Sequence, residues 1–374
     1  MPWDSLPLLF VGALRAGVTV APLAPSSTPE SLLGMLADSA AKLYFADASV
    51  QSAMAGVRDR LSMPLISMDN SGSETHYSDW LAETGAVPTA VEITPEMTFN
   101  VIYSSGTTGR PKGVMHSFRT MISVADGLQQ LFPVSREERM LSYLPLAHVA
   151  ERAAVETQSL YYGFHLYFAH SLDTFQADLQ RARPTLFFSV PRLWTKFYLG
   201  VNAKLPPSRQ ARLFRIPILG SLVKRKILRQ LGLDHCRAAL TGAAPLSAEI
   251  IAWYRNLGLE LLEVYGMSEN FGYSHANRPG QAKVGTVGMA NPGVEHRIGA
   301  DGEIEVKSPG QMLGYYKNPD KTREDMTGDG FLRTGDMGEI DEDGCLRITG
   351  RVKDLFKTGK GKYVAPAPIE NRIG

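Results

Sequence analysis

The chain has 374 residues, enough for two or three domains and a large buried core. Its 39 Lys and Arg against 38 Asp and Glu leave a net charge of +1, and 44% hydrophobic with 21% charged residues excludes disorder, collagen and a coiled coil. Cys236 and Cys345 stand far apart, which excludes a disulfide framework and a CxxC zinc pattern and fits a reducing, cytoplasmic compartment.

The opening MPWDSLPLLFVGALRAGVTVAPLAP has no basic segment ahead of its apolar stretch, and Arg15 interrupts it, so it does not read as an export signal. No run approaches the roughly 20 apolar residues that cross a bilayer, so any membrane contact is expected to be peripheral. Apolar spacing predicts a helix over 5–17, a short β-branched strand over 18–23, a second helix over 29–40 and a strand in KLYFAD at 42–47. Such alternation implies a parallel sheet covered by helices. FNVIYSSG runs from an apolar strand into a glycine-rich turn, and PTLFFSVP at 184–191 and LELLEVYG at 259–266 are buried-strand candidates. From about 295 the texture changes to short strands punctuated by Gly, Asp and Pro, as in GEIEVKSPG and GCLRITG, which predicts a small β-rich subdomain beyond a boundary near 290. There is no internal repeat and no low-complexity segment.

Charge is uneven although the total is balanced. Between Leu179 and Leu233 there is no Asp or Glu, yet Arg181, Arg183, Arg192, Lys196, Lys204, Arg209, Arg212, Arg215, Lys224, Arg225, Lys226 and Arg229 carry positive charge. Two readings stand: a solvated face, or a surface that attracts anionic lipid headgroups or phosphate-bearing ligands. No binding motif accompanies the charge, so nucleic acid is not an expected partner. The oligomeric state stays open.

The sharpest chemical signal is YSSGTTGRPKG at 103–113. Glycines let backbone N–H groups approach a polyphosphate, hydroxyls donate to its oxygens and Lys112 supplies a point charge. The loop is not a Walker A motif, which needs Gly before the Lys and Ser or Thr after it, whereas Pro111 precedes and Gly113 follows Lys112. A serine hydrolase is also disfavoured, because Gly266-Met267-Ser268-Glu269-Asn270 lacks the final Gly of a nucleophile elbow.

Five further segments follow: TGAAPL at 241–246, VYGMSEN at 264–270, GYYKNPDKT at 314–322, DGFLRTGD at 329–336 and GRVKDLFKTGKGKYVAP at 350–366. With 103–113, in this order, they resemble the adenylate-forming (AMP-binding) superfamily over nearly the whole chain. LPLAHVAER at 144–152, VPRLWTKFY at 190–198 and the basic insertion are most similar to long-chain fatty acyl-CoA synthetases. The resemblance implies an α/β fold of two packed Rossmann-like subdomains, layered αβαβα, over 1–290, and a smaller β-rich subdomain over 291–352. Residues 353–374 would then be a hinge and the start of a C-terminal lid domain that this chain lacks, and the N-terminus would be trimmed as well.

In such enzymes a carboxylate oxygen attacks the α-phosphate of ATP, pyrophosphate leaves, and a thiol, usually that of coenzyme A, captures the acyl-adenylate. The protein positions reactants and neutralises charge. By resemblance Ser105, Gly106, Thr107, Thr108, Gly109 and Lys112 hold the β- and γ-phosphates. Ser104 keeps a hydroxyl where many relatives have Thr. Gly242, Ala243, Ala244 and Pro245 line adenine, with Tyr265 beside the ring and Gly266 next to it. Glu269 matches the Mg²⁺ ligand, consistent with magnesium taking one or two carboxylates plus substrate phosphates. Ser268 would reach the α-phosphate. Asp336 matches the carboxylate that accepts both ribose hydroxyls, Arg351 a second ribose or phosphate contact, Lys353 the swivel position and Lys357 an adenylate contact. His148 either orients the carboxylate being activated or is a satisfied core histidine. Glu151 and Arg152 read as structural, and Phe187, Phe188 and Trp194 as core residues or walls of the acyl tunnel.

The resemblance thus implies an acid–thiol ligase acting on a long-chain fatty acid with ATP, Mg²⁺ and coenzyme A. Without the lid and its lysine, adenylation is expected to be inefficient in this chain. The alternatives are a non-catalytic nucleotide- or acyl-adenylate-binding fragment, or an enzyme of the carboxylic acid reductase or carrier-protein ligase type. A cytoplasmic location with peripheral contact to the inner face of a membrane, through the basic 181–229 region, suits the lipid substrate.

Overall fold

The computed structural model describes residues 5–69, 75–83, 85–87, 89–104, 111–354, 356–357 and 363–364. The chain divides into two units, one of Met1–Met121, Leu144–Arg152 and Met312–Thr322, the other of Ile122–Tyr143, Ala153–Gln311 and Arg323–Gly374.

In the first unit the strands Tyr44–Ala46, Leu65–Ser67 and Thr75–His76 pair in parallel in that order. The helix Pro29–Ser39 begins where the Thr28 hydroxyl accepts the Ser31 N–H and proline occupies the first turn. It buries Leu32, Met35 and Leu36 in a cluster with Tyr44, Val50, Met54 and Leu65. The helix expected over 5–17 runs Ser5–Arg15 and is followed by Gly17 at φ +65.

Two expectations fail in this unit. The strand predicted over 18–23 reduces to one bridge between Val20 and Asn100. Pro22 lacks the N–H that a longer ladder needs. The parallel arrangement also does not extend to the strand that leads into the glycine-rich loop. Thr98–Ser104 pairs antiparallel with Lys112–Ser117, which pairs antiparallel with Gly314–Tyr315. Only residues 105–111 separate the first two strands, too few for the crossover that parallel pairing requires.

In the second unit the parallel expectation holds. Leu186–Ser189, Ala238–Thr241 and Leu261–Tyr265 pair in parallel, and His275–Ala276 and Met289–Ala290 extend the sheet antiparallel beyond them. On the other side Arg139–Ser142, paired in parallel with His165–Phe168, is tied to the Leu186 strand by reciprocal bonds between Arg139 and Thr185 at 2.9 Å. Phe175–Ala182, Pro191–Lys204, Pro217–Leu231 and Ala248–Leu257 are helices whose buried faces contribute Leu179, Trp194, Leu231, Ile251 and Tyr254 to one core with Phe187, Ala239 and Leu261. Trp194 makes edge contacts with Phe187 and Tyr254 at 5.5 and 5.0 Å between ring centroids. Phe187 and Trp194 are thus wholly buried core residues. Glu295–Ile298, Glu303–Lys307, Leu332–Ile340 and Leu346–Arg351 form an antiparallel meander that buries Ile304, Val306, Leu332 and Leu346. No helix among the described residues is long and apolar enough to cross a membrane.

Candidate nucleotide site

In the first unit Lys112 opens its strand in register with Ser104, so residues 105–111 connect two antiparallel strands. Ser105, Gly106, Thr107, Thr108 and Gly109 lie outside the described residues. The Lys112 ammonium sits 5.0 Å from the centroid of the Tyr315 ring, a cation–π contact that steers the long side chain without removing its charge. A Cβ on Gly113 would approach Val101 Cγ1 to 2.8 Å, so glycine after the lysine is a packing requirement. Tyr315 was not singled out from the sequence, although it lies within the GYYKNPDKT segment.

His148 sits in the same unit. Its Nδ1 accepts the Ala150 N–H at 3.2 Å, which leaves Nε2 to carry the proton in the neutral ring. Burial pushes its pKa down. The ring therefore offers one N–H rather than a cation. Glu151 and Arg152 are buried, and Arg152 donates to Asn100 Oδ1 at 3.3 Å with its guanidinium 3.8 Å from the Phe10 ring centroid.

In the second unit the Ala238–Thr241 strand delivers Gly242, where a Cβ would stand 3.1 Å from the Val264 carbonyl oxygen. Ala243 follows at φ +70, a left-handed conformation costly for a residue with a Cβ. Ala243, Ala244 and Pro245 are exposed, whereas Leu246 is buried. The Glu263 carboxylate, on the neighbouring strand, accepts the Gly285 N–H at 3.4 Å. Burial raises the Glu263 pKa to about 7. The sequence reading passed over Glu263, yet a carboxylate inside the otherwise apolar LLEVYG strand was the available signal.

Three residues remote in sequence meet at the end of that strand. The Tyr265 hydroxyl donates to Asp336 Oδ2 at 2.7 Å, and Arg351 Nε lies 3.3 Å from Asp336 Oδ1. Asp336 and Arg351 face each other across neighbouring strands, so the sheet register sets their pairing. Burial, reinforced by the Asp336 charge, raises the Tyr265 pKa well above its ordinary value, so its hydroxyl stays a donor. Thr334 fixes the turn: its hydroxyl donates to the Ile304 carbonyl at 2.8 Å and accepts the Asp336 N–H at 3.1 Å. Gly335 supplies φ +75.

Beyond Tyr265 the chain doubles back. The Gly272 N–H donates to the Met267 carbonyl at 2.9 Å, and Asn270, wholly buried, accepts the Met267 N–H on Oδ1 at 2.9 Å. A Cβ on Gly266 would lie 2.4 Å from the Gly272 backbone. This closed loop holds Ser268 and Glu269 half-buried in the turn Ser268–Asn270. No cluster of three or more His, Cys, Asp or Glu that could hold a metal occurs among the described residues. A lone carboxylate suits a hard cation that brings its other oxygen ligands with it as phosphate and water. Lys353 is exposed on the turn Val352–Asp354, and Lys357 pairs with Tyr363 across a two-residue strand.

The AMP-binding enzyme family matches residues 3–316. The long-chain-fatty-acid–CoA ligase FadD15 of Mycobacterium bovis is 32% identical over 98% of this chain and 66% of its own length. The long-chain-fatty-acid–CoA ligase ACSBG2 of Gallus gallus is 33% identical over 75% of this chain and 41% of its own. Among solved structures, ATP-bound MatB from Rhodopseudomonas palustris is similar with a TM-score of 0.79 and 27% identity, covering 98% of this chain and 70% of that one. The chain therefore spans about two thirds or less of the length of these curated relatives. With the α/β architecture and the residue order described above, the match over most of its length places the chain in the AMP-binding enzyme family.

Proposed function

We propose that the chain provides the nucleotide and acyl-adenylate site of an ATP-dependent long-chain fatty acid:CoA ligase. The observation that carries this reading is the convergence of Tyr265, Asp336 and Arg351, which sets an aromatic ring, two acceptor oxygens and a guanidinium at one place. Adenine would rest on Gly242–Pro245 and Tyr265, and the ribose hydroxyls would donate to Asp336. Ser105, Gly106, Thr107, Thr108, Gly109 and Lys112 would bind the β- and γ-phosphates, with Ser268 at the α-phosphate.

In the reaction a fatty acid carboxylate oxygen forms a bond to the α-phosphorus and the bond to the pyrophosphate oxygen breaks. The thiol of coenzyme A then takes the acyl group and AMP leaves. Glu269 would hold Mg²⁺, which would supply charge neutralisation at the phosphates. Neutral His148 would donate its Nε2 proton in a hydrogen bond to the fatty acid carboxylate and orient it without the strong attraction of a cation. Arg351 and Lys353 would add positive charge beside the nucleotide, and Lys357 a further contact.

Long-chain fatty acids partition into bilayers, and the basic 181–229 region fits peripheral contact with an anionic, cytoplasmic membrane face. Release of pyrophosphate on mixing with ATP, Mg²⁺ and a panel of carboxylic acids tests the reaction. Release that rises with acyl length to palmitate supports the reading. Release confined to short or aromatic acids would replace the substrate, and nucleotide binding with no release would leave a binding module.

A further inference from the structure

Within the basic region one elbow breaks the usual distribution of apolar side chains. The helices Pro207–Phe214 and Pro217–Leu231 meet at Arg215 and Ile216. Four large aliphatic side chains protrude there: Ile216 is 47% exposed, Ile218 79%, Leu219 42% and Leu222 61%. The elbow is closely packed: a Cβ on Gly220 would meet the Phe214 carbonyl oxygen at 2.9 Å, and Lys224 lies over the Phe214 ring and donates to Asn256 Oδ1 at 2.8 Å.

The second helix grades along its length. Gly220, Ile227 and Leu231 face the core. The opposite stripe, at i, i+4, i+7 and i+11, reads Ile218, Leu222, Arg225 and Arg229. Aliphatic groups thus occupy the end at the elbow and arginines follow, over a rise of about 16 Å. Arg212 and Arg215 on the other arm are exposed as well. No acidic residue occurs between Leu179 and Leu233, and among the described residues Arg212, Arg215, Arg225 and Arg229 enter no ion pair. A bilayer surface with anionic headgroups has this same gradient, with hydrocarbon below and phosphate above, and arginine stems reach from one to the other.

We propose that the elbow at 215–222 is a membrane-insertion tip, with Ile216, Ile218, Leu219 and Leu222 entering the acyl region while Arg212, Arg215, Arg225 and Arg229 engage anionic headgroups. The proposal deepens the reading of the chain as a fatty acid ligase by naming the surface through which it meets the lipid phase. Insertion differs from charge attraction alone in what salt removes: screening weakens the arginine contacts but leaves aliphatic burial in place.

The test is flotation of the full chain, without nucleotide, on vesicles of phosphatidylcholine with or without about 30% phosphatidylglycerol, at low salt and about 0.5 M salt. The parent should bind the anionic vesicles and keep a residual fraction at high salt. Ile218→Ser/Leu222→Ser should lose that residual fraction and weaken low-salt binding about ten-fold, with unchanged thermal melting. Arg225→Gln/Arg229→Gln should remove the salt-sensitive part. Vesicle binding by the serine variant equal to the parent would overturn the proposal, as would no binding by the parent. A parent dimer that the serine variant dissolves would assign the elbow to a second copy of the chain and overturn it too. Titration of the serine variant with a palmitoyl-adenylate analogue keeps the two readings apart, since unchanged affinity leaves the nucleotide site standing whatever the vesicles show.

Discussion

The end of the Leu261–Tyr265 strand and the elbow at 215–222 depart from the in–out rule in opposite directions. At the strand end polar groups are buried: Glu263 is 9% exposed and Tyr265 9%, each tied to named partners. At the elbow aliphatic groups are exposed. Burying a polar group is tolerable only with its hydrogen bonds made, and exposing large aliphatics has a cost that a membrane would relieve. In the readings proposed above, the first would serve a nucleotide and the second a lipid phase.

Gly266→Ala should produce the largest effect on the buried side. Its methyl would overlap the Gly272 backbone, forcing open the loop that holds Ser268 and Glu269, with about 3 kcal/mol lost in denaturant unfolding and adenylate binding lost with it. Next in size is the pH dependence of Glu263. Its carboxyl keeps a proton up to about pH 7 in the folded chain against 4.5 when free. The folded state therefore binds more protons between those values, and stability falls as pH rises through that window, levelling off above pH 7. The drop is about 3 kcal/mol for this group. His275 runs the other way: burial beside His296 lowers its pKa to about 3, so its contribution grows as pH rises towards 6.5. Subtracting the unfolding free energies of Glu263→Gln from those of the parent, pH by pH, isolates the Glu263 slope. A flat difference would contradict the assignment.

Smaller still is Tyr265→Phe, which keeps the ring proposed to face adenine but removes the donor to Asp336. Adenylate affinity should fall about ten-fold, the scale of one hydrogen bond to a charged group, with little change in melting. Lys353→Ala should be the smallest perturbation of stability, within about 0.5 kcal/mol, since the side chain is exposed on a short turn.

Much of the second unit was legible in the sequence. The mainly apolar runs at 186–189 and 261–265 became buried parallel strands, and the Gly-, Asp- and Pro-punctuated segments after 295 became the antiparallel meander. The antiparallel return at Lys112–Ser117 was legible too, from the short connection, but alternation with helices elsewhere suggested the wrong pairing. Tyr265 and Asp336 each carried a role by resemblance, whereas the bond between them, across 71 residues, depends on a register that no local pattern encodes. The Glu263 contact was hidden for the same reason, since Gly285 reaches it only through the folded chain. The elbow shows a different limit. Only the folded helix reveals that its core side is filled by Gly220, Ile227 and Leu231, which leaves Ile218 and Leu222 on the exposed side.

The central claim is that Tyr265, Asp336 and Arg351 form a ribose and adenine site. Calorimetric titration of the chain with a non-hydrolysable palmitoyl-adenylate analogue, beside Asp336→Ala at matched melting temperature, tests it most directly. The account predicts binding by the parent and at least about a ten-fold loss in the variant, whose carboxylate no longer accepts the ribose hydroxyls. Equal affinities for the two chains would contradict it.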